Sequence, residues 1–336
     1  MSKIYTSKEK RVKNLKYAAV AFALILLVSA ALLLIRLWEN NQSALPVDES
    51  PSVNTNLKYK GSEYRLKEDI ESVLVLGLDK FDGVHVESYY NDKQADFLML
   101  VVVDNENETC TALHINRDTI AEMSILGVAG DKVGTIQKQI ALAHTYGNGK
   151  EVSCRNTADA VSKLLMNVPI DRYVSVTMDA VSAYNDMIGG VELTVLDDFS
   201  GIDDTLVKGE TVTLYGEHAL NYVRTRYGLD DDTNARRMVR QRQYLEALYA
   251  KTLEYVENDE NFIVNAGLKL ADFLVSDYSG NGLQSFAEKI SGYKLTEICQ
   301  LEGRLTKGEE HMEFYPYNSS VEETVIKLFY EPVNQQ

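Results

Sequence analysis

Seven consecutive apolar residues, Phe97–Val103, constrain this chain more than any other feature. A short run without alternation, closed by turn residues, fits a buried strand. Two further runs resemble it: Ser72–Gly77, which stops at a glycine, and Thr111–Ile115. Asp104-Asn-Glu-Asn107 between the last two reads as a hairpin turn. Further strands are expected at Tyr173–Met178 and Val191–Leu196. Helices are expected at Thr135–Tyr146, Asn156–Met166, Asp179–Ile188 (closed by Gly189-Gly190), Gly216–Asn221, Asn234–Tyr255, Phe262–Val275 and Leu283–Ile290. Strands and helices intermix, with hairpins and crossovers both implied. The expected fold is α/β, a three-layer α/β/α domain on a mixed central sheet. No internal repeat is visible.

One transmembrane helix is expected to precede that domain. Tyr17–Ile35 is nineteen residues long, uncharged and rich in Leu, Ala and Val, which is enough to span a bilayer as a helix. Lys3, Lys8, Lys10, Arg11, Lys13 and Lys16 precede it, so the positive-inside rule keeps the N-terminus cytoplasmic and exports the rest. A cleaved signal peptide would have a shorter apolar region ending at small residues. Here Leu32–Ile35 continue the run past Ser29-Ala30-Ala31, which favours an uncleaved signal anchor. The expected plan is a basic tail at 1–16, the anchor at 17–37, a linker and entry segment at 38–69, a catalytic-type domain at 70–255 and a C-terminal helical extension at 256–336.

Beyond position 40 the chain carries 27 basic and 48 acidic residues, a net charge of −21. Nucleic-acid binding rests on neutralising phosphates with basic side chains, so this balance argues against a nucleic-acid partner. Cys110, Cys154 and Cys299 are too few and too far apart for a disulfide framework; Cys110 and Cys154 could pair, but small buried thiols fit the sequence better. The five histidines are scattered and suggest no His/Cys metal site.

In this acidic chain, Arg224, Arg226, Arg236, Arg237, Arg240 and Arg242 fall within nineteen residues. Such a cluster repels itself unless an anion meets it. Tyr222-Val-Arg-Thr-Arg226 reads as a strand end, with Arg224 and Arg226 on one face. Arg237, Arg240 and Gln241 follow at helical i, i+3, i+4 spacing. Two arginine pairs converging from a strand and a helix suit phosphate or diphosphate. On this reading, alanine at Arg226 or Arg240 weakens ligand binding and leaves folding little affected. The alternative is a solvated helix face satisfied by Asp230, Asp231 and Asp232.

Other polar residues fall at strand ends. Asp79 ends the first run, Asp96 opens the second, and Asn116-Arg117-Asp118-Thr119 ends the third. Two carboxylates on neighbouring strands could hold Mg²⁺, which takes few protein carboxylates together with water and phosphate oxygens. Alternatively they are ordinary turn residues, and Arg117-Asp118 a local pair.

Together these segments resemble the LytR-CpsA-Psr family of bacterial cell-wall glycopolymer ligases. The similar stretches are Val75-Leu-Gly-Leu-Asp79, Asp96-Phe-Leu-Met-Leu100, Ile115-Asn-Arg-Asp-Thr119, Ile170-Asp-Arg-Tyr173, Gly189-Gly-Val-Glu-Leu193, Leu214-Tyr-Gly-Glu-His-Ala-Leu220, Tyr222-Val-Arg-Thr-Arg226 and Arg237-Met-Val-Arg-Gln241. They occur in the family's order across roughly residues 71–250. Gly292–Pro332 looks like the extension of clostridial-type members.

The resemblance implies a membrane-anchored phosphotransferase on the outer face of the cell membrane. It would move a glycan phosphate from undecaprenyl diphosphate to a peptidoglycan hydroxyl. Asp79 and Asp96 would be ligands of Mg²⁺ (or Mn²⁺). Arg117, Arg224, Arg226, Arg237 and Arg240 would contact the diphosphate, with Gln241 supporting. Asp118 and Asp232 are candidate base or supporting residues. The chain also departs from the family pattern. Phe81 stands where an arginine is usual, Gln94-Ala95-Asp96 replaces Arg-Ser-Asp, and Asn116 and Ala141 replace a proline and an asparagine. Two cationic contacts are thus absent. Alternative readings are a lipid-diphosphate hydrolase, a non-catalytic carrier-lipid scaffold or a transcriptional attenuator. Leu164, Leu165, Met187 and Ile188 are candidate lining for the family's lipid tunnel, against a role in the core.

Overall fold

A computed structural model describes residues 55–79, 91–127, 129–259, 262–309 and 311–333. The expected anchor at 17–37 and the departure at Phe81 lie outside the described residues. No helix among the described residues is long and apolar enough to cross a membrane.

In chain order the first strands are β1 (Asn56–Tyr59), β2 (Ser62–Leu66), β3 (Ile70–Leu78), β4 (Phe97–Asp104), β5 (Thr109–Ile115), β6 (Ile120–Leu126) and β7 (Lys132–Gln139). A 3-10 helix, Ile140–Thr145, leads to α1 (Glu151–Leu164), β8 (Arg172–Thr177), α2 (Met178–Met187), β9 (Val191–Thr194) and β10 (Thr211–Leu214). Then come α3 (Gly216–Arg224), α4 (Asn234–Asn258), α5 (Phe262–Leu270), β11 (Leu274–Ser276), α6 (Gly280–Ser291) and β12 (Lys294–Cys299). The chain closes with β13 (Gly303–Lys307), β14 (Met312–Pro316), α7 (Asn318–Phe329) and β15 (Tyr330–Pro332).

The central sheet is mixed, in the order β11-β8-β3-β4-β5-β12. β4 lies antiparallel between β3 and β5, and β8 and β12 add in parallel outside them. Every residue of β4 is buried because both faces are covered. Its alternate residues Met99, Val101 and Val103 pack with Tyr184 of α2, Tyr222 of α3 and Tyr244 and Leu248 of α4. Leu98, Leu100 and Val102 pack on the other face with Val161 of α1 and Val325 and Phe329 of α7. Helix α2 ends at Gly189-Gly190, both at positive φ. A Cβ on Gly190 would stand 2.8 Å from Thr213 Cγ2 and 2.9 Å from the Leu214 carbonyl oxygen, so glycine is needed there.

Four expectations are corrected. Residues 132–139 form strand β7, paired with β6, rather than the start of a helix over Thr135–Tyr146. The helical part is confined to the 3-10 turn at Ile140–Thr145. Arg224 ends helix α3 instead of lying on a strand, because Ala219, Tyr222 and Val223 bury one helical face. Helix α5 stops at Leu270, and Leu274–Ser276 become an edge strand on β8. Finally, 256–336 is not simply helical, since it supplies β11 and β12 to the central sheet. Short strands of this kind depend on a partner edge more than on their own residues.

The core also contains two neutral histidines. Burial, followed by the charges of Arg242 and Arg237, pushes His114 down to about 3. Burial pushes His144 down to about 4, against a hydrogen bond to the Lys93 carbonyl that raises it. The unfolded chain takes up these protons below about 6.5. The stabilising contribution is therefore complete above that pH and is lost as pH falls toward 4. Each histidine should remove roughly 2 kcal/mol between pH 6.5 and pH 5, at about 1.4 kcal/mol per pH unit. Denaturant melts at the two pH values check this, and a His144→Gln variant should show a shallower slope.

Candidate functional site

Strand direction gathers the expected polar residues at one edge of the sheet. β3 and β5 run against β4, so their C-terminal ends meet its start. Gly77 pairs with Phe97 and Leu98 with Ile115, and the Asp96 amide donates to the Gly77 carbonyl at 2.8 Å. Asp79, Asp96 and the loop Asn116–Thr119 therefore share that edge. β8, parallel to β3, brings Thr177 to the same place.

Two arginines converge on Asp96. Arg117 hydrogen-bonds its carboxylate, and Arg237 Nη1 stands 3.6 Å from the same oxygen. Arg117 also donates to the Gln94 side-chain oxygen. Gln94 thus orients a guanidinium in place of adding a charge. Arg224 donates to Asp79 Oδ2 at 2.8 Å. Arg226 lies over the Tyr227 ring at 4.5 Å, and its charge acts on both Asp118 and Arg237. Burial draws Arg237 down to about 10; Asp96 opposes this, while Arg117 and Arg226 add to it. Guanidiniums packed this closely favour an anion between them.

Asp118 is buried, and burial raises its carboxyl although Arg117, Arg226 and Arg237 draw it down. Its Oδ1 accepts from Gln139 Nε2 at 3.1 Å and lies 3.7 Å from Arg117 Nε. A chain of amides ties the loop to helix α4. Asn116 Oδ1 accepts from the Asp118 amide at 3.0 Å and from Asn234 Nδ2 at 2.7 Å. Asn234 Oδ1 in turn accepts from Arg237 Nε and Nη2, at 3.1 and 2.7 Å.

Among the described residues, eight buried side-chain atoms have no hydrogen-bond partner. Five belong to this edge: Asp79 Oδ1, Arg117 Nε, Asp118 Oδ2, Thr177 Oγ1 and Gln241 Oε1. An unmet buried polar atom costs about 1–3 kcal/mol. Their concentration here is the pattern that a hydrated or ligand-binding edge would show. The donor set also suits a hard divalent cation. Asp79 Oδ1 is open, and Asp96 is a second carboxylate on the adjacent strand; Mg²⁺ takes its remaining ligands from water and phosphate. No group of three or more His, Cys, Asp or Glu residues assembles among the described residues.

Behind this edge lies a shallow, half-open apolar cleft lined by residues that include Gly77, Phe97, Met178, Val223, Gln241 and Tyr244. Gly77, Phe97 and Val223 lie within two residues of Asp79, Asp96 and Arg224. A Cβ on Gly77 would stand 2.8 Å from Phe97 Cβ, so glycine lets the two strands close at this point. Of the residues weighed between tunnel lining and core packing, none lines this cleft. Leu164 and Leu165 pack on the opposite face of the sheet, and Met187 and Ile188 belong to the core.

The arginine cluster divides in two. Arg240 is 0% exposed and donates to Asp197 at 2.5 Å, to the Tyr222 carbonyl at 3.0 Å and to the Thr225 carbonyl. Its guanidinium is occupied by protein and is not open to a ligand. The expectation that Arg240 contacts the diphosphate and is dispensable for folding is corrected accordingly. Arg236 takes the other oxygen of Asp197 at 2.7 Å. Gln241 donates to the Val223 carbonyl at 3.2 Å and faces the cleft. Asp230 meets Lys208, Asp231 accepts from the Thr233 amide and feels Arg236 and Arg240 only through space, and Asp232 is exposed, so the 230–232 run is not what pairs with Arg236 and Arg240. Asp197 is, and nothing in its spacing announced it from about forty residues away. Asn234, three residues before Arg237, did carry a legible helical signal.

The profile described as the LytR_cpsA_psr family matches residues 38–260. The chain is 28% identical over 237 residues to an Enterococcus faecalis protein named polyisoprenyl-teichoic acid–peptidoglycan teichoic acid transferase TagU, covering 69% of this chain and 70% of that one. It is 31% identical over 243 residues to the Bacillus subtilis transferase TagV, covering 70% of this chain and 57% of that protein. Among solved structures, TagT bound to LIIa-WTA superposes with a TM-score of 0.56 at 25% identity, covering 79% of this chain and 93% of that one.

Proposed function

Because the chain belongs to the LytR_cpsA_psr family, we propose that it is a phosphotransferase that moves a glycopolymer from a polyprenyl-diphosphate carrier, undecaprenyl diphosphate, to peptidoglycan. In this reading residues 17–37 cross the bilayer, and the domain works on its outer face. The observation that carries the proposal is the adjacency of charged edge and apolar cleft. Arg117, Arg226 and Arg237 suit a diphosphate, and the apolar lining of the cleft behind them suits the start of a hydrocarbon tail. The relatives' names, as teichoic acid transferases, support the same class of reaction.

Each residue then has a part. Arg117, Arg226 and Arg237 bind the diphosphate oxygens and neutralise charge that grows on the bridging oxygen as its bond to phosphorus breaks. Arg224 turns with Asp79 toward the same edge. Asp118 combines a raised proton affinity with an unpartnered Oδ2, so it suits the proton of the acceptor hydroxyl. That hydroxyl oxygen forms the new bond to the glycan's phosphorus, and polyprenyl phosphate leaves. Arg240, Arg236 and Asp197 hold the loop that carries Arg226. Asp79 and Asp96 would hold Mg²⁺ (or Mn²⁺), which when bound supplies further neutralisation of the diphosphate.

The test uses the purified protein, a polyprenyl-diphosphate-linked glycan and peptidoglycan. The expected products are wall-linked glycan phosphate and polyprenyl phosphate. Release of glycan phosphate at the same rate without peptidoglycan would make the protein a hydrolase instead. Chelation, or Asp96→Asn, should reduce turnover by at least about 100-fold, since developing charge loses its largest counterion. Full activity in chelator would remove the metal from the mechanism.

A further inference from the structure

The C-terminal hairpin β13–β14 lies beyond the stretch matched by the family profile, yet it touches the loop that carries Arg117 and Asp118. The Phe314 amide donates to the Asp118 carbonyl at 2.9 Å, and Thr119 and Phe314 form an isolated parallel bridge. One side chain joins the two segments. Gln139, the last residue of β7, donates from Nε2 to the Met312 carbonyl at 2.7 Å and to Asp118 Oδ1 at 3.1 Å.

We propose that Gln139 is a positioning residue for the transfer reaction: it locks the C-terminal hairpin onto the Arg117–Asp118 loop and fixes the carboxylate of Asp118. The proposal rests on the function argued above. Three observations support it. First, Gln139 is the hydrogen-bond donor to the Asp118 carboxylate among the described side chains, while Oδ2 is left without a partner. Without Gln139 the buried carboxylate would keep the charges of Arg117, Arg226 and Arg237 around it but no hydrogen-bond donor, and closer pairing with Arg117, 3.7 Å away, would draw that guanidinium from Asp96. Second, one amide nitrogen has two protons and meets two acceptors, so the geometry is held from both sides. Third, the hairpin is itself tightly built. A Cβ on Gly303 would stand 2.4 Å from the Tyr315 carbonyl oxygen, so the two strands are closely apposed where they present Phe314. The brace is therefore a closely apposed two-stranded element reaching in from outside the matched region. Sites are held best when the reacting group's neighbours are themselves locked by packing and hydrogen bonds.

The experiment compares Gln139→Met with Gln139→Lys in the full chain. Methionine keeps length and volume but donates nothing. A lysine ammonium can donate to both a carboxylate and a carbonyl. Two readouts are needed. Hydrogen–deuterium exchange of segments 116–119 and 312–316 reports the brace without any substrate. Steady-state turnover of the lipid-diphosphate glycan reports positioning. Gln139→Met should speed exchange in both segments and lower kcat about 10-fold, with KM changed less than about twofold. Gln139→Lys should restore both. Unchanged exchange in Gln139→Met would overturn the brace. Faster exchange with unchanged kcat, in an active protein, would reduce Gln139 to a structural role and overturn the positioning claim. If wild type does not turn over the glycan while Gln139→Met still loosens both segments, the functional reading fails and the brace stands.

Discussion

Arg240→Ala is expected to destabilise the protein by about 3–5 kcal/mol, the range for removing one partner of a buried ion pair. The variant leaves Asp197, 3% exposed, with Arg236 alone, and strips the donors from two backbone carbonyls, those of Tyr222 and Thr225. At roughly 2–4 °C per kcal/mol for a domain of this size, the melting temperature should fall by about 10 °C. Arg240→Lys should recover only part of this, because one ammonium cannot replace a planar fork that serves three acceptors in different directions. Thermal melts without ligand decide the matter. A melting temperature within a degree or two of wild type would mean that the buried guanidinium is not what holds this loop.

Arg226→Ala should behave in the opposite way. Arg226 is half-buried and makes no ion pair with a described residue, so its loss should change stability by less than about 0.5 kcal/mol. Transfer should nonetheless slow by roughly 10- to 100-fold, from losing a charge-assisted contact of about 1.5–3 kcal/mol. The thermal stabilisation conferred by inorganic diphosphate should shrink as well. Lysine should rescue only partly, as a point charge replacing a fork. If Arg226→Ala instead melted early and bound diphosphate as wild type does, the anion site would have to lie elsewhere on the molecule. The two arginines stand fourteen residues apart in one cluster, and this pair of variants separates their roles.

That separation shows where sequence reading stops. Asp79, Asp96 and Arg117 were legible as strand-end residues because β4 is a continuous apolar run and β3 and β5 are mostly apolar strands that end at sharp limits. Arg226 and Arg237 were legible through clustering of charge in an acidic chain. The division of that cluster was not. Arg237 and Arg240 share the buried side of one helix, but Arg237 meets Asp96 and Arg240 meets Asp197. Spacing along a helix gives a side chain's direction and says nothing about which distant carboxylate waits there. Thr135–Tyr146 misled for a related reason. Its strand half exists because β6 offers an edge, and its helical half is a single 3-10 stretch.

The sequence by itself determined the mixed α/β class, the central strands and the strand ends at which polar residues collect. These follow from local apolar patterning, which acts within a few residues of itself. The chain order of its motifs also pointed to the family. Only the tertiary structure decided which arginines gather around Asp96 and which around Asp197, and that an apolar cleft lies behind Asp79 and Asp96. It alone joined Gln139 to a hairpin more than 170 residues away. Contacts of that kind depend on how strands stack and helices cross, which no short window of residues encodes.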